Sequence, residues 1–405
     1  MSHVPIARLA MAALALHSSS VVAAPVALDL RAAIERAHRT SPTAIAARGH
    51  VAEAQAGLVG AEVWFAGNPE LEGGAGPRLS PGGSIDAEAR LEQGLEPGRR
   101  GPRRQRARAE LHHAAALADG ELRALDLEVS LAFYDAVFAE QAAALARRAQ
   151  ELAQRAAAVA ERRRRAGDIT DLDTNLARLA SGRASAAVQA AAAERALAIG
   201  RLAALTGVAP GDSVALVGEF EAGAPDPAIA PGAIAGRADV RALDAEGEVA
   251  QAQAAQAAAS AGPEVAAWIA YHREDATDIM LGGLRVALPL WNRAQGERAA
   301  AVARERRAAQ TREAILRVAD RQVADALAVY ASAREASETF EREVVPAIDD
   351  SERLLQQTVD AGQIAIPAYL VARQELLTSR REHLERRLAL ARAAAGVRFA
   401  LGVAP

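Results

Sequence analysis

The chain of 405 residues contains no cysteine and no lysine, and only three Trp, four Tyr and six Phe. The missing cysteine excludes a disulfide framework, a thiolate metal site, a Cys nucleophile and a lipid anchor on a processed N-terminal Cys. With every basic residue an arginine, the absence of lysine is read as genome composition. Hydrophobic residues make up 51% of the chain but aromatics only 3%, so the apolar share is mostly alanine. Alanine is the best helix former, and a chain rich in Ala, Leu, Glu and Arg points to long helices that pack closely. The net charge of -4 provides no basic field for a nucleic-acid partner. Beyond the N-terminal segment no run of 18 apolar residues occurs, so no transmembrane helix is expected there. A membrane crossing would have to be made with strands.

The N-terminus has the order of a secretory signal: Arg8, an apolar run over 9–16, and the small-residue site Val22-Ala23-Ala24. Residues 1–24 are therefore assigned to a signal peptide, with the mature chain beginning near Pro25. The rest reads as two copies of one plan at an offset of about 195 residues. Arg39-Thr-Ser-Pro42 resembles Arg237-Ala-Asp-Val240, and Asn68-Pro-Glu-Leu71 resembles Gly262-Pro-Glu-Val265. Ala166-Gly-Asp-Ile169 matches Ala361-Gly-Gln-Ile364, and Leu205-Thr-Gly207 matches Ala400-Leu-Gly402. The expected division is a first repeat over 25–207, a linker over 208–236 and a second repeat over 237–405.

Each repeat is expected to run through an entry helix (29–61, 237–261), two strands and a long helical hairpin. Leu131, Phe138, Leu145, Leu152 and Val159 recur every seven residues, interleaved with Ala142, Ala149 and Ala156. Leu316, Val323 and Tyr330, with Ala319, Ala326 and Ala333, repeat the pattern. Large residues alternating with alanine make a coiled-coil seam of close approach; heptads alone also fit a soluble rod. A helix over 102–166 would extend roughly 100 Å, more than a compact domain needs. Pro346 is expected to kink or restart its counterpart, because it lacks an N–H and clashes with the preceding turn.

Four stretches alternate with period two. Ile85, Ala87, Ala89, Leu91 and Leu95 oppose Asp86, Glu88, Arg90, Glu92 and Glu96. Met280, Gly282, Leu284, Val286, Leu288 and Leu290 form a second row, Val265, Ala267, Ile269 and Tyr271 a third, and Leu71, Gly73 and Ala75 a weaker fourth. Each is about as long as a tilted strand that crosses a bilayer. An ordinary half-buried sheet is the competing reading. Trp64, Trp268 and Trp291 lie at these segments, and with Tyr271 they are assigned to an interfacial aromatic girdle. Four strands cannot close a barrel and open edges are not tolerated in lipid, so several protomers must share one.

Gly167 and Gly362 sit where the hairpins reverse, a place suited to a residue that adopts positive φ cheaply. Asp168, Asp171 and Asp173 cluster at the first tip, with Asp360 and Gln363 at the second. Asp168 would serve either as a helix cap or, multiplied by symmetry, in an acidic ring at a tunnel mouth. The Arg162–Arg165 run is read as inter-helix salt bridges or a solvated face. His112, His113 and His272 do not have the spacing of a metal site, and no catalytic triad, phosphate loop or nucleotide fingerprint occurs.

The strand exits carry a resemblance. Leu91-Glu-Gln-Gly-Leu-Glu-Pro-Gly-Arg-Arg-Gly-Pro-Arg-Arg104 and Leu284-Arg-Val-Ala-Leu-Pro-Leu-Trp-Asn-Arg-Ala-Gln-Gly-Glu-Arg298 resemble those of the TolC family of outer-membrane efflux proteins. They are most similar to its CzcC-like branch, associated with divalent-cation export. The tips Arg165-Ala-Gly-Asp-Ile-Thr-Asp-Leu-Asp173 and Asp360-Ala-Gly-Gln-Ile364 resemble those that meet a periplasmic adaptor. The resemblance implies a mainly α fold with a small β part: a long antiparallel coiled-coil α-barrel shaft continuing into a shared transmembrane β-barrel. It implies a homotrimer in outer-membrane lipid that takes cargo, divalent cations above all, from an adaptor and a resistance-nodulation-division type pump. It implies docking through Arg165, Gly167 and Gly362, no cofactor, no resident metal and no enzymatic activity. The competing classes are a periplasmic adaptor protein and a soluble periplasmic coiled-coil scaffold.

Overall fold

The computed structural model describes residues 26–79, 83–220, 223, 233–274, 277–360 and 363–403. The signal-peptide expectation, Gly362 and residues 221–222 and 224–232 of the linker between the repeats lie outside them. The chain order is β1 (Val26–Leu28), α1 (Leu30–Thr40), α2 (Pro42–Glu62), β2 (Glu70–Pro77), β3 (Ile85–Leu95), α3 (Arg100–Arg165), α4 (Asp171–Thr206) and β4 (Val214–Leu216). After a 3-10 turn at Ile234–Gly236 come α5 (Ala238–Ser260), β5 (Glu264–Glu274), β6 (Thr277–Ala287), α6 (Gln295–Thr339), a π-turn at Phe340–Val344, α7 (Val345–Asp360) and α8 (Ile366–Leu401).

The duplication is visible residue by residue. From Gln295 through the π-turn to Asp360, the second copy spans the same 66 residues as α3 (Arg100–Arg165). The returning helices α4 and α8 are 36 residues each, and both end at a glycine with positive φ, Gly207 and Gly402. The copies differ where proline intervenes. The expected single entry helix over 29–61 is two helices, because Pro42 lacks an N–H and holds Ser41 extended (ψ 137°). Its counterpart α5 has no proline and runs unbroken. In the second long helix the backbone widens into the π-turn and restarts as α7 with Pro346 in its first turn, where the missing N–H is harmless.

Helix α3 is the axis of the protomer. It packs against α2, α4, α5 and α8, and α8 packs in turn on α6. Ala142, Ala153, Ala156 and Ala160 are shut inside, whereas the large heptad residues Leu131, Phe138, Leu145, Leu152 and Val159 stay half-exposed. The buried line within one protomer is thus an alanine line. Small side chains let the backbones approach, and the large residues border the grooves beside them. One stretch of α3 is long and apolar enough to cross a membrane by composition, but 56% of it is buried in these helix contacts.

The main core lies midway along the helices. The parallel pair β1–β4 and helix α1 close over Leu125, Phe133, Tyr134, Leu202 and Leu388, with the Phe133 and Tyr134 rings edge to face at 6.1 Å. One polar contact crosses it: His38 Nε2 lies 2.5 Å from Asp126 Oδ1. Burial pushes the Asp126 carboxyl up from its ordinary value, against the pull of His38.

At the edge of this core Gly207 ends α4 at φ +62°, and a Cβ there would lie 2.6 Å from Thr40 Oγ1. Gly167 has φ +80° with open space around it. The two separate backbone strain from steric overlap. Gly167→Ala is expected to destabilise by about 1 kcal/mol, the cost of a left-handed non-glycine residue. Gly207→Ala adds the overlap with Thr40 and is expected to cost at least about 1 kcal/mol more. Urea-unfolding midpoints of the two variants check the ordering.

Candidate functional site

Two regions stand apart from the helical shaft: the four-stranded sheet at one end and the hairpin tips at the other. The sheet order is β2-β3-β5-β6, antiparallel throughout, so the two copies contribute adjacent hairpins. Residues directly opposite one another share a face. Leu71, Leu91, Ile269 and Gly282 form one rung; Gly73, Ala89, Tyr271 and Met280 form the next. This apolar face is uncovered: Leu71 is 76% and Met280 73% exposed. It ends toward the β5–β6 turn, where Tyr271 Oη donates to Asp278 at 2.6 Å. Leu288 and Leu290, expected to prolong the row, lie beyond the end of β6.

The opposite face is ionic. Arg78 reaches Asp86 at 3.0 Å and Glu274 at 2.8 Å. Glu92 accepts from Arg90 at 2.9 Å and from Arg285 at 2.6 Å. His272 lies 3.8 Å from Glu88. Trp268 is on this face, not with the girdle residues. It alternates with Ala267 and Ile269, and its ring lies under the Arg90 guanidinium at 4.6 Å. Gly283 gives it room, since a Cβ there would meet the indole at 2.8 Å. Trp64 and Trp291 flank the foot of the sheet and are largely exposed.

The sheet is fastened to the shaft by arginines at the start of α3. Arg99 donates to the carbonyls of Ser260 and Gly262, at the end of α5, and pairs with Glu264. Arg103 donates to the carbonyls of Ala61 and Val63, at the end of α2, and pairs with Glu96. These are carbonyls that a helix terminus leaves without internal partners, and a cation there also complements the helix dipole. The sequence shows the arginine cluster, but its targets lie in segments brought together only by the fold.

At the first tip Gly167 reverses the chain. Its N–H donates to Arg164 O, and the Asp168 N–H donates to Arg163 O. The cap of α4 is Thr170, not Asp168: Thr170 Oγ1 accepts from the Asp173 N–H, and Asp173 Oδ2 accepts from the Thr170 N–H, each at 3.1 Å. Asp173 is therefore engaged in a capping box, a pattern present in the sequence as Thr-x-x-Asp. Asp168 and Asp171 are exposed, and Asp171 lies 3.4 Å from Arg164. The organising group is Glu161, which sequence reasoning did not single out. It accepts from Arg164 and Arg165 on its own helix and from Arg178 across the hairpin at 2.8 Å. Arg164 and its companions hold its carboxyl below the ordinary value. Ala160 and Ala177 then pack on Ile366, which brings the first tip against the start of α8. At the second tip the Gln363 N–H donates to Thr358 O and Asp360 ends α7. His112 pairs with Glu248 at 2.9 Å, and among the described residues no group of three His, Cys, Asp or Glu comes together around a metal-sized site.

Comparison with known proteins adds to this geometry. A family model described as "Outer membrane efflux protein" matches residues 230–403, essentially the second copy. No curated protein matches in sequence. Among solved structures the chain is similar to CusC, whose crystal structures concern transmembrane channel formation (TM-score 0.74, 17% identity, 92% of each chain). It is similar to the outer membrane protein VceC from Vibrio cholerae (0.69, 19%, 92% of this chain and 96% of that one). It is also similar to the open state of the MtrE outer membrane channel from Neisseria gonorrhoeae (0.73, 19%, 93% and 89%). At these identities the likeness is one of fold: a mainly helical shaft with a small sheet, as the sequence implied.

Glu161 yields a pH test. Its depressed pKa means its ion pairs stabilise the tip above the unfolded value of 4.5 and are lost as pH falls through the lower folded value. Hydrogen-exchange protection over 161–178 is expected to decline below about pH 4.5 in the wild type. In Glu161→Gln it is expected to be lower at neutral pH and to lack that decline.

Proposed function

We propose that this chain is one protomer of an outer-membrane efflux channel of the TolC family, a passive exit duct from periplasm to exterior. The observation that carries the reading is the sheet: three strands of 11 residues and one of eight, with an uncovered apolar face, an ionic face behind it and, among the described residues, two open edges. In water that face has no covering layer. In lipid it is solvated, and the ionic face lines a water-filled lumen. The edges then pair with neighbouring copies, and three protomers give a twelve-stranded barrel. The fold shared with CusC, VceC and MtrE and the efflux-family match over the second copy support the same conclusion.

The shaft would place the hairpin tips far from the membrane, where an adaptor and an energised inner-membrane pump of the resistance-nodulation-division type deliver cargo. Arg165, Gly167 and Gly362 are the proposed docking positions. Asp168 and Asp171, with Asp360 and Gln363 of the second tip, are the proposed mouth residues, and Asp173 supports them through the cap. Cargo is assigned to divalent cations on the resemblance of the strand exits, a class compatible with the carboxylates Glu70, Glu72, Glu88 and Glu92 on the ionic face.

Cell fractionation followed by unheated and heated denaturing gels tests the reading. The expected result is an outer-membrane band near three times the monomer mass that collapses on boiling. A monomer confined to the soluble periplasmic fraction would overturn it in favour of a coiled-coil scaffold.

A further inference from the structure

Arg100, Arg104 and Arg108 stand at i, i+4 and i+8 on α3 and so form one stripe down a single helix face. The stripe begins at the foot of the sheet beneath Trp64, whose ring is 74% exposed and lies 4.0 Å from the Arg100 guanidinium. Its members are only partly satisfied. Arg100 donates to the Glu62 carbonyl, and Arg104 reaches the Glu62 carboxylate at 3.5 Å. The Nε of each is shut from solvent with no acceptor, and Arg108 is exposed. Arg99 and Arg103, on the neighbouring faces, are by contrast occupied by carbonyls and carboxylates.

The duplication supplies an internal comparison. At the 195-residue offset the stripe positions hold Gln295, Ala299 and Ala303, yet α6 leaves β6 and packs on α5 in the same way. The foot of the second hairpin therefore folds without such a stripe.

The next step rests on the membrane reading above. If the sheet occupies the hydrocarbon layer, its foot lies where hydrocarbon gives way to headgroups, a zone about 5–8 Å deep on each side. From Arg100 to Arg108 the stripe covers eight helical rises, about 12 Å, and so runs through that zone. Exposed Trp64 lies against Arg100 and exposed Trp291 follows the end of β6, both with the amphipathic character suited to the interface. A guanidinium fork matches phosphate oxygens in paired hydrogen bonds, and a membrane-surface arginine is favourable toward anionic lipid. We propose that Arg100, Arg104 and Arg108, with Trp64, bind the phosphate of phospholipid headgroups in the leaflet facing the helical shaft. This contact fixes the height of the barrel in the bilayer through the first copy of each protomer.

Membrane-extracted protein in mild detergent, with retained phospholipid quantified by mass spectrometry, tests the proposal. The triple variant Arg100→Gln, Arg104→Gln, Arg108→Gln is compared with a control carrying Arg317→Gln, Arg321→Gln and Arg334→Gln, exposed arginines of α6. The stripe variant is expected to retain about tenfold less phospholipid than the wild type, and the control to match the wild type. The heat-sensitive assembly should persist in both. Unchanged lipid in an intact stripe-variant assembly overturns this inference alone. Absence of any membrane assembly in the wild type overturns the duct reading, and this inference with it.

Discussion

The unpaired backbone at the two edges of the sheet is the constraint on which the rest depends. Among the described residues, β2 and β6 each have no strand paired to their outer edge. The face between them is apolar and uncovered. A sheet of this kind in water is a template for uncontrolled pairing, and in lipid an open edge is not sustainable. On the proposed reading, closure on further copies would satisfy the edges and enclose the ionic face. The duplication is what makes that geometry economical. Because β3 pairs with β5, two hairpins far apart in sequence fuse into one sheet.

The helices follow from the same requirement seen from the other end. The sheet is held in one orientation relative to the shaft by the arginines at the start of α3, which take the terminal carbonyls of α2 and α5. The shaft itself depends on alanine. Long helices gain little from propensity alone, and the buried alanine line of α3 lets its neighbours approach closely enough for extended contact. The half-exposed heptad residues beside it are consistent with a wall that continues into the next protomer. The π-turn before Pro346 shows how the second copy keeps the same length with a proline in mid-course, where α3 has Pro102 only in its first turn.

Much of this was legible from residues alone. Period-two rows gave the strands and their faces, heptads gave the long helices, and Gly-Pro-Ile landmarks gave the duplication, because each reports a local periodicity or backbone preference. What escaped depends on tertiary proximity or on competition between neighbours. Trp268 was placed with the girdle because all three tryptophans lie at the strand segments, although its even position on β5 puts it over Gly283 beneath Arg90. The cap of α4 went to Thr170 because it immediately precedes the helix and lies three residues before Asp173, whereas Asp168 is two residues farther out. Asp168 is instead part of the turn that closes α3. Glu161, just before the Arg162–Arg165 run, carries no signal of its own in the sequence. Its role appears only when α4 folds back and brings Arg178 beside it.

Edge closure itself can be measured directly, and the cysteine-free chain makes the measurement clean. Single cysteines would be introduced in pairs along β2 and β6, scanning register, and the membrane-embedded protein oxidised. The account predicts, at matched positions, cross-linked dimers and trimers with no larger species, since three copies close the ring. Cross-links absent at every register, or a ladder continuing past three chains, would contradict it.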